Sequence, residues 1–399
     1  MVWHVEMLDG AEVTTLAADG AINPASVVKV ATTLWALEKL GPEYRFDTVV
    51  SRAGLVDEKQ GLLKGDLLVR GAGDPDFHIE NAFLTAARLN QAGIRSVRGA
   101  IRVNDRFWIG WEGGSERMLK DPLSRTRQMA QRLRAALDPR RWDSGTRRVW
   151  REFAVRYSLP LTHPPAVVVL GGADAIDHDA PDERILFTHR SKPLLDALRR
   201  FDCFSNNDIE RLGASLGSAP DLARRLTEGW QLPIDAVRLE TISGLGTNRM
   251  TPRLVVRLLR ELKTTTERLG LSVESVLPVA GCDPGTLNHS FAPLTIGANA
   301  MSVVAKTGTL TSTDGGTAVL AGFANTGRGD EIFCVAAPAA AGRLAQARRQ
   351  QVRWVEDLIA RSDGPRLRRC AGPLASPEDG AMLFPPAGSS APATASAAR

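Results

Sequence analysis

Asn23-Pro24-Ala25-Ser26-Val27-Val28-Lys29-Val30-Ala31-Thr32 opens a helical stretch and sets a serine three residues before a lysine. Residues three apart share a helix face, so the Lys29 amine can reach the Ser26 hydroxyl. That spacing pairs a nucleophile with a base. A lone Ser-x-x-Lys is common in helices and carries little by itself. Here two further clusters of hydroxyl, amide and amine side chains follow it, Ser205-Asn206-Asn207 and Lys306-Thr307-Gly308-Thr309, and the three together carry more than any one.

Pro24 suits the start of the helix, Val30, Leu34, Leu37 and Leu40 form its apolar stripe, and Gly41-Pro42 stops it. Ahead of it, residues 2–8 and 12–17 flank Asp9-Gly10 and predict an antiparallel hairpin. Short strands are expected around 48–50 and 65–69, ending in Gly71-Ala72-Gly73-Asp74-Pro75. That turn lacks the P-loop lysine and the dinucleotide spacing, so it reads as structural. Residues 81–101 predict a helix and then a strand, with Phe83, Ala86 and Leu89 inward. The Arg- and Trp-rich stretch 118–156 predicts two or three amphipathic helices in a separate lobe, with Trp142 and Trp150 in its core. Strands are expected at 167–170 and 185–188, and a helix after Pro193 leads to Ser205 at a helix junction, its stripe continuing through Leu216 to Gly217. A helix at 252–262, a strand at 303–306 with antiparallel partners at 317–323 and 332–336, and a last helix at 343–359 complete the reading.

At 399 residues the chain can bury one large core or two to three smaller ones, and 43% apolar with 24% charged residues is a globular balance. The net charge of +5 is spread through Arg-rich helices at 125–134, 253–260 and 348–353, read as solvated faces. A nucleic-acid reader would need a clustered basic stripe and a reading motif, and neither is present. The four cysteines have no C-x-x-C spacing, and their connectivity does not follow from sequence. The six histidines form no H-E-x-x-H or H-x-H cluster, so no metal is expected, and His163 and His289 read as surface or packed residues. No segment reaches the roughly 18 to 20 apolar residues of a membrane span. The first ten residues carry no basic region followed by an apolar stretch, so no signal peptide is read in this chain.

Ser26 must lose a proton before it attacks a carbonyl, and an ordinary lysine, with pKa about 10.4, is protonated at neutral pH. Burial and the second cation Lys306 are expected to depress the pKa of Lys29 and make it a base. Ser205 is suited to relay a proton to the leaving amine. Asn207 offers a donor and an acceptor to a substrate amide. Lys306 supplies charge for a substrate carboxylate, Thr307 and Thr309 add hydroxyls, and Gly308 lets substrate approach the strand. Ser243-Gly244-Leu245 reads as a turn shaping the site floor.

With these motifs the chain resembles the D-alanyl-D-alanine carboxypeptidase/endopeptidase family of class C low-molecular-mass penicillin-binding proteins, peptidase family S13. The likeness extends to Leu40-Gly41-Pro42, to the block from Gly65-Asp66 through Asp74-Pro75, and to Leu277-Pro278-Val279-Ala280-Gly281 before Gly285-Thr286-Leu287. It implies an α+β fold, an antiparallel sheet flanked by helices beside an all-helical cluster, with an inserted accessory domain. Residues 1–47 and 186–363 are then the peptidase domain, 48–185 an abbreviated insert, and 364–399 a flexible Ala/Pro/Ser-rich tail. It further implies an acyl-enzyme on Ser26, an oxyanion hole from the backbone N–H groups of Ser26 and Thr309, no cofactor, peptidoglycan stem peptides and β-lactams as ligands, and a periplasmic or otherwise extracytoplasmic setting. The family's leading helix has no counterpart ahead of the first strand, so the sheet is expected to lack one cover, and the stretch after Asp105 departs from the family pattern. A β-lactamase-like hydrolase and a catalytically impaired peptidoglycan-binding protein are the alternatives. The first of these lacks an evident deacylating glutamate.

Overall fold

The structure, a computed structural model, describes residues 1–110, 121–177 and 180–385. Strands β1 (Val2–Met7) and β2 (Glu12–Leu16) lead into helix α1 (Val28–Lys39). Next come β3 (Asp47–Asp57), β4 (Leu62–Gly71), α2 (Ile79–Gln91), β5 (Ser96–Val97), β6 (Ile101–Val103), α3 (Pro122–Ala136), α4 (Ser144–Arg156), β7 (Val168–Val169), β8 (Ala173–Ala175) and β9 (Arg184–Arg190). The chain continues through α5 (Leu194–Phe204), α6 (Gly213–Leu216), α7 (Ala219–Trp230), α8 (Pro252–Arg268), α9 (Thr286–Ser290), β10 (Val303–Leu310), β11 (Thr317–Thr326), β12 (Gly329–Pro338), α10 (Leu344–Arg361) and β13 (Ala381–Leu383). Two compact units result, Met1–Tyr44 with Leu194–Ala375, and Arg45–Pro193 with the chain from Ser376.

The first unit carries an antiparallel sheet in the order β10-β11-β12-β1-β2. Side chains alternate across it with period two. Val5, Val303, Ala305, Leu320, Phe333 and Val335 therefore meet Val352, Val355 and Ile359 of α10 on one face. Helix α8 lies against β1, β11 and β12. Its Arg253 pairs with Asp19 and Glu12, and its Arg260 with Glu6, so the 253–260 face is paired rather than merely solvated. A cavity of about 480 Å³ opens beside Trp3, Val13 and Trp354. Helix α1 is buried at every position from Val28 to Leu37 and is packed among α5, α6, α7 and α8, which explains its nearly all-round apolar sequence.

The second unit holds a mixed sheet in the order β13-β9-β3-β4-β5-β7, with β6 and β8 beside it. Strands β3 and β4, at 11 and 10 residues, run well beyond the short strands expected at 48–50 and 65–69, and Gly54 and Gly65 let the two backbones close up: a Cβ on Gly65 would sit 1.8 Å from the Ala53 carbonyl oxygen. Trp142 and Trp150 pack on Phe83 and are buried, as core residues should be. The Gly-rich turn leads into a buried ion pair of Asp76 with Lys192 at 2.7 Å, and Asp76 is also hydrogen-bonded to His78 at 2.9 Å, consistent with a structural role.

One segment contradicts the sequence reading. Residues 364–385, expected to be flexible, are held in place. Pro365 bridges Thr326, Arg368 pairs with Glu274 at 2.6 Å and with Asp330, Cys370 is disulfide-bonded to Cys282, and β13 pairs with β9. Composition counted only weak apolar burial there and was blind to ion pairs and a covalent link. Residues 386–399 of that expected tail, and 118–120 of the expected helical stretch, lie outside the described residues.

Candidate active site

Ser26 sits in a single 3-10 turn, Ala25–Val27, and α1 proper begins at Val28. Ser26 thus precedes the α-helix instead of lying on its regular face, but the three-residue spacing still brings Lys29 Nζ to 3.1 Å from Ser26 Oγ. Ala25, just before it, has φ +50°, and Ser205 has φ +56°. A non-glycine residue held there costs about 1–3 kcal/mol, and such strain gathers at functional sites.

The Lys29 amine is fully buried and meets two further acceptors, Asn207 Oδ1 at 3.0 Å and the Ser243 carbonyl oxygen at 2.5 Å. Desolvation first, and then the charge of Lys306, push its pKa well below the ordinary lysine value, while Asp202, Glu210 and Asp208 act the other way. An uncharged amine has two N–H bonds and one lone pair. With both N–H groups given to Asn207 and Ser243, the lone pair is left for the Ser26 hydroxyl proton.

Lys306 is buried as well, and burial holds its pKa down to about 8. Its Nζ donates to Ser205 Oγ at 3.0 Å and to the Thr307 carbonyl at 2.9 Å. The charge expected to meet a substrate carboxylate is therefore turned inward, behind Ser205. Strand periodicity explains this, since Lys306 and Gly308 point to the helical side of the sheet while Thr307 and Thr309 point to the α10 side. Gly308 is needed for a reason other than substrate approach: a Cβ there would lie 2.6 Å from the Pro24 carbonyl oxygen and 3.2 Å from Ala25 Cβ. Thr307 Oγ1 is hydrogen-bonded to Thr286 Oγ1 at 2.6 Å, and Thr309 Oγ1 accepts from Arg348 Nη2 at 3.0 Å.

Strand β10 is an edge. Its outer side is covered at the start, where Ala280 N donates to Val303 O and Ala305 N donates to Pro278 O. The same alternation turns the N–H and C=O of Thr307 and Thr309 outward, beyond that cover. The Thr309 N–H thus faces the open edge, as an oxyanion donor must.

Several residues of this constellation were invisible in the motifs. Glu210 accepts from the backbone N–H of Ser243 at 2.8 Å and so fixes the carbonyl that binds Lys29. Asp202, buried and pushed up to about 6 mainly by desolvation, accepts from Thr33 Oγ1 at 2.8 Å and offsets the two lysines. Gly244, read from the sequence as part of the turn at the site floor, packs on the turn that carries Ser26, where a Cβ would meet the Ala25 carbonyl oxygen at 2.0 Å. Arg348, read as part of a solvated face, instead reaches Thr309. Asp202 three residues before Ser205 and Glu210 three after Asn207 are the only sequence signals, and helical spacing alone is too common to select them. His289 is exposed, as expected.

Residues 2–123 and 172–358 match the model of the D-Ala-D-Ala carboxypeptidase 3 (S13) family. A D-alanyl-D-alanine carboxypeptidase from Actinomadura sp. (strain R39) is 32% identical over 117 residues, a stretch that covers 29% of this chain and spans 20% of that protein's length. Among solved structures, a predatory endopeptidase from Bdellovibrio bacteriovorus in complex with an immunity protein aligns over 96% of this chain and 99% of its own, with a TM-score of 0.78 and 21% identity. A penicillin G-acylated predatory endopeptidase of the same organism aligns over the same shares with a TM-score of 0.77 and 20% identity. At such identities these likenesses speak for the fold.

Proposed function

Because the chain belongs to the D-Ala-D-Ala carboxypeptidase 3 (S13) family, we propose that it is a serine D-Ala-D-Ala carboxypeptidase acting on peptidoglycan stem peptides through an acyl-enzyme on Ser26. The observation that carries this reading is the Lys29 amine, buried beside Ser26 Oγ with its other two bonds already committed. Lys29 takes the hydroxyl proton as Ser26 Oγ attacks the carbonyl carbon of the penultimate D-Ala. The oxyanion is held by the N–H groups of Ser26 and Thr309, where losing one donor costs about 10²–10³ in rate. Collapse breaks the C–N bond, and the leaving nitrogen receives a proton from Ser205, which Lys306 resupplies. Water then attacks the ester with its proton passing to the same bases, and Ser26 is restored. Asn207, whose Oδ1 is held by Lys29, turns its Nδ2 to a substrate carbonyl.

The first compact unit is the peptidase domain in this reading, since it contains every residue named above. Cross-link endopeptidase action belongs to the same chemistry with a larger leaving amine, and the likeness to the Bdellovibrio endopeptidases supports including it. The Cys282–Cys370 disulfide supports an extracytoplasmic setting, because such bonds persist in oxidising compartments. No helix among the described residues is long and apolar enough to cross a membrane.

The test is incubation of the protein, and of Ser26→Ala, with a fluorescent penicillin and with a peptide ending in D-Ala-D-Ala. Stable Ser26-dependent labelling together with D-alanine release is the expected result. Fast turnover of the antibiotic would favour a β-lactamase-like hydrolase, and absence of Ser26-dependent labelling and release would refute an acyl-enzyme.

A further inference from the structure

The turn between β10 and β11, residues 311–316, holds Asp314, Gly315 and Gly316 in succession at positive φ, +58°, +73° and +73°. Asparagine or glycine would suit the first of these positions as well as aspartate does. What singles out a carboxylate is Arg249, whose Nη1 and Nη2 donate to Asp314 Oδ2 and Oδ1 at 2.6 and 2.8 Å in a two-pronged fork. The guanidinium is itself aimed, because Nη1 also donates to the Asn248 carbonyl at 2.8 Å. Asn248 is buried, and its side chain accepts from Glu240 N and donates to the Leu245 carbonyl, so the segment behind Arg249 is held stiffly.

That segment is tied in turn to the backbone that carries Ser26. Ile22 and Met250 exchange backbone hydrogen bonds at 3.0 and 3.1 Å, Asn23 Nδ2 donates to the Gly246 carbonyl at 3.0 Å, and Asn23 Oδ1 accepts from Ala25 N at 3.0 Å. Strand β10 meets the same turn from its other side, where Gly308 packs against Pro24 and Ala25. The contacts run in a closed circuit: the Ser26 turn, residues 244–250, the β10–β11 turn, and β10 back to the Ser26 turn. The Arg249–Asp314 pair closes that circuit beyond Thr309. Partly exposed ion pairs add little to stability, so the consequence of this one is positional.

Resting on the acyl-enzyme reading above, we propose that Asp314 is a positioning residue of the oxyanion hole: clamped by Arg249, it fixes the end of β10 and with it the separation of the Ser26 and Thr309 N–H groups. An oxyanion donor acts on charge that develops in the transition state. A displaced Thr309 N–H therefore slows the chemical step and leaves substrate affinity almost unchanged.

The test measures, by stopped flow at saturating fluorescent penicillin, the acylation rate constants of the wild type, Asp314→Asn, Arg249→Gln and the double variant. Calorimetry gives the affinity of a D-Ala-D-Ala peptide for Ser26→Ala and for Ser26→Ala/Asp314→Asn. Asparagine keeps the turn conformation and the size of the side chain and removes the charge and one acceptor of the fork. Each single variant should be acylated about 10- to 100-fold more slowly, the double variant no more slowly than either, and peptide affinity should change by less than about threefold. Arg249→Lys, which keeps the charge without the fork, should fall between wild type and Arg249→Gln. Thermal unfolding reports whether each variant is folded, and Arg249→Gln reads the pair from its other end if Asp314→Asn does not fold. A folded Asp314→Asn acylated within about threefold of the wild-type rate overturns the positioning role and leaves the acyl-enzyme standing. Losses that multiply in the double variant, or a fall in peptide affinity as large as the fall in rate, overturn it equally. A wild type that takes no penicillin and releases no D-alanine defeats the acyl-enzyme reading itself, and the positioning role goes with it.

Discussion

Replacing Lys306 by methionine should destroy acylation and yet remove a pH-dependent cost of folding. Lys306 is fully buried with its pKa held down to about 8 by desolvation, against an unfolded value of about 10.4. The folded state therefore binds fewer protons than the unfolded state between these values, and stability rises with pH across that window. From the two pKa values the cost of keeping Lys306 buried is about 3 kcal/mol at pH 7 and about 1 kcal/mol at pH 10. Wild type should thus gain about 2–3 kcal/mol between pH 7 and pH 10 that Lys306→Met lacks.

Other effects of the substitution do not obscure this difference. Ser205 Oγ and the Thr307 carbonyl lose a donor, at about 1 kcal/mol each, but equally at both pH values. Asp202 loses a nearby cation that lowers its pKa, so its carboxyl rises further and the cost of ionising it grows between pH 7 and 10, which narrows the gain in the variant and works in the same direction. Lys29 loses a charge that depresses it, which narrows the gain in the variant and works in the same direction. The assay is urea unfolding of both proteins at pH 7 and pH 10, compared as a difference of differences. A variant whose gain with pH matches wild type within about 0.5 kcal/mol would show that Lys306 is not charged against its burial, and the mechanism of Lys29 activation would fall with it.

Three further outcomes follow from the same geometry. Because desolvation and the charge of Lys306 hold the Lys29 pKa well below the ordinary lysine value, the acidic limb of penicillin acylation should fall at a pH well below the pKa of an ordinary lysine; a rising limb near pH 10 would refute the depressed base. Gly244→Ala places a Cβ 2.0 Å from the Ala25 carbonyl oxygen, so the nucleophile turn must shift and acylation should slow at least about tenfold, and unchanged stopped-flow labelling would contradict the packing. Removing the Cys282–Cys370 link by Cys370→Ala should cost about 2–4 kcal/mol in urea unfolding and expose the chain around 364–375 to proteolysis, against the expectation of no change if that segment were a loose tail.

The parts of the fold that follow periodic rules were readable, and the parts fixed by long-range partners were not. The β1–β2 hairpin, the helix after Ser26, the β10–β11–β12 meander and α10 all declared themselves through turn residues and hydrophobic period. Helix α7 was passed over although Ser218-Ala219-Pro220-Asp221 spells a capping box with proline in the first turn. The held segment at 364–385 gave no such sign, because its anchors are Glu274, Cys282, Asp330 and Thr326, each distant in sequence. The candidate site divides in the same way. Its motif residues were legible as chemistry, whereas Glu210, Asp202 and Arg348 act through contacts that only folding creates.

What unites the site is that it departs from what a stable core would choose. Two lysines are buried within α1 and β10, two non-glycine residues, Ala25 beside Ser26 and Ser205 itself, stand at positive φ, and Asp202 is held with a raised pKa near both lysines. Each departure costs folding free energy, and each lies where an uncharged Lys29 requires it. Lys306 depresses Lys29, Asp202 keeps Lys306 charged enough to feed Ser205, and Glu210 fixes the carbonyl that consumes one Lys29 N–H. In the proposed mechanism Ser26 is therefore activated by the whole buried set rather than by the Ser26–Lys29 spacing, and a site with that spacing alone, on an exposed helix, would leave its lysine protonated and its serine inert.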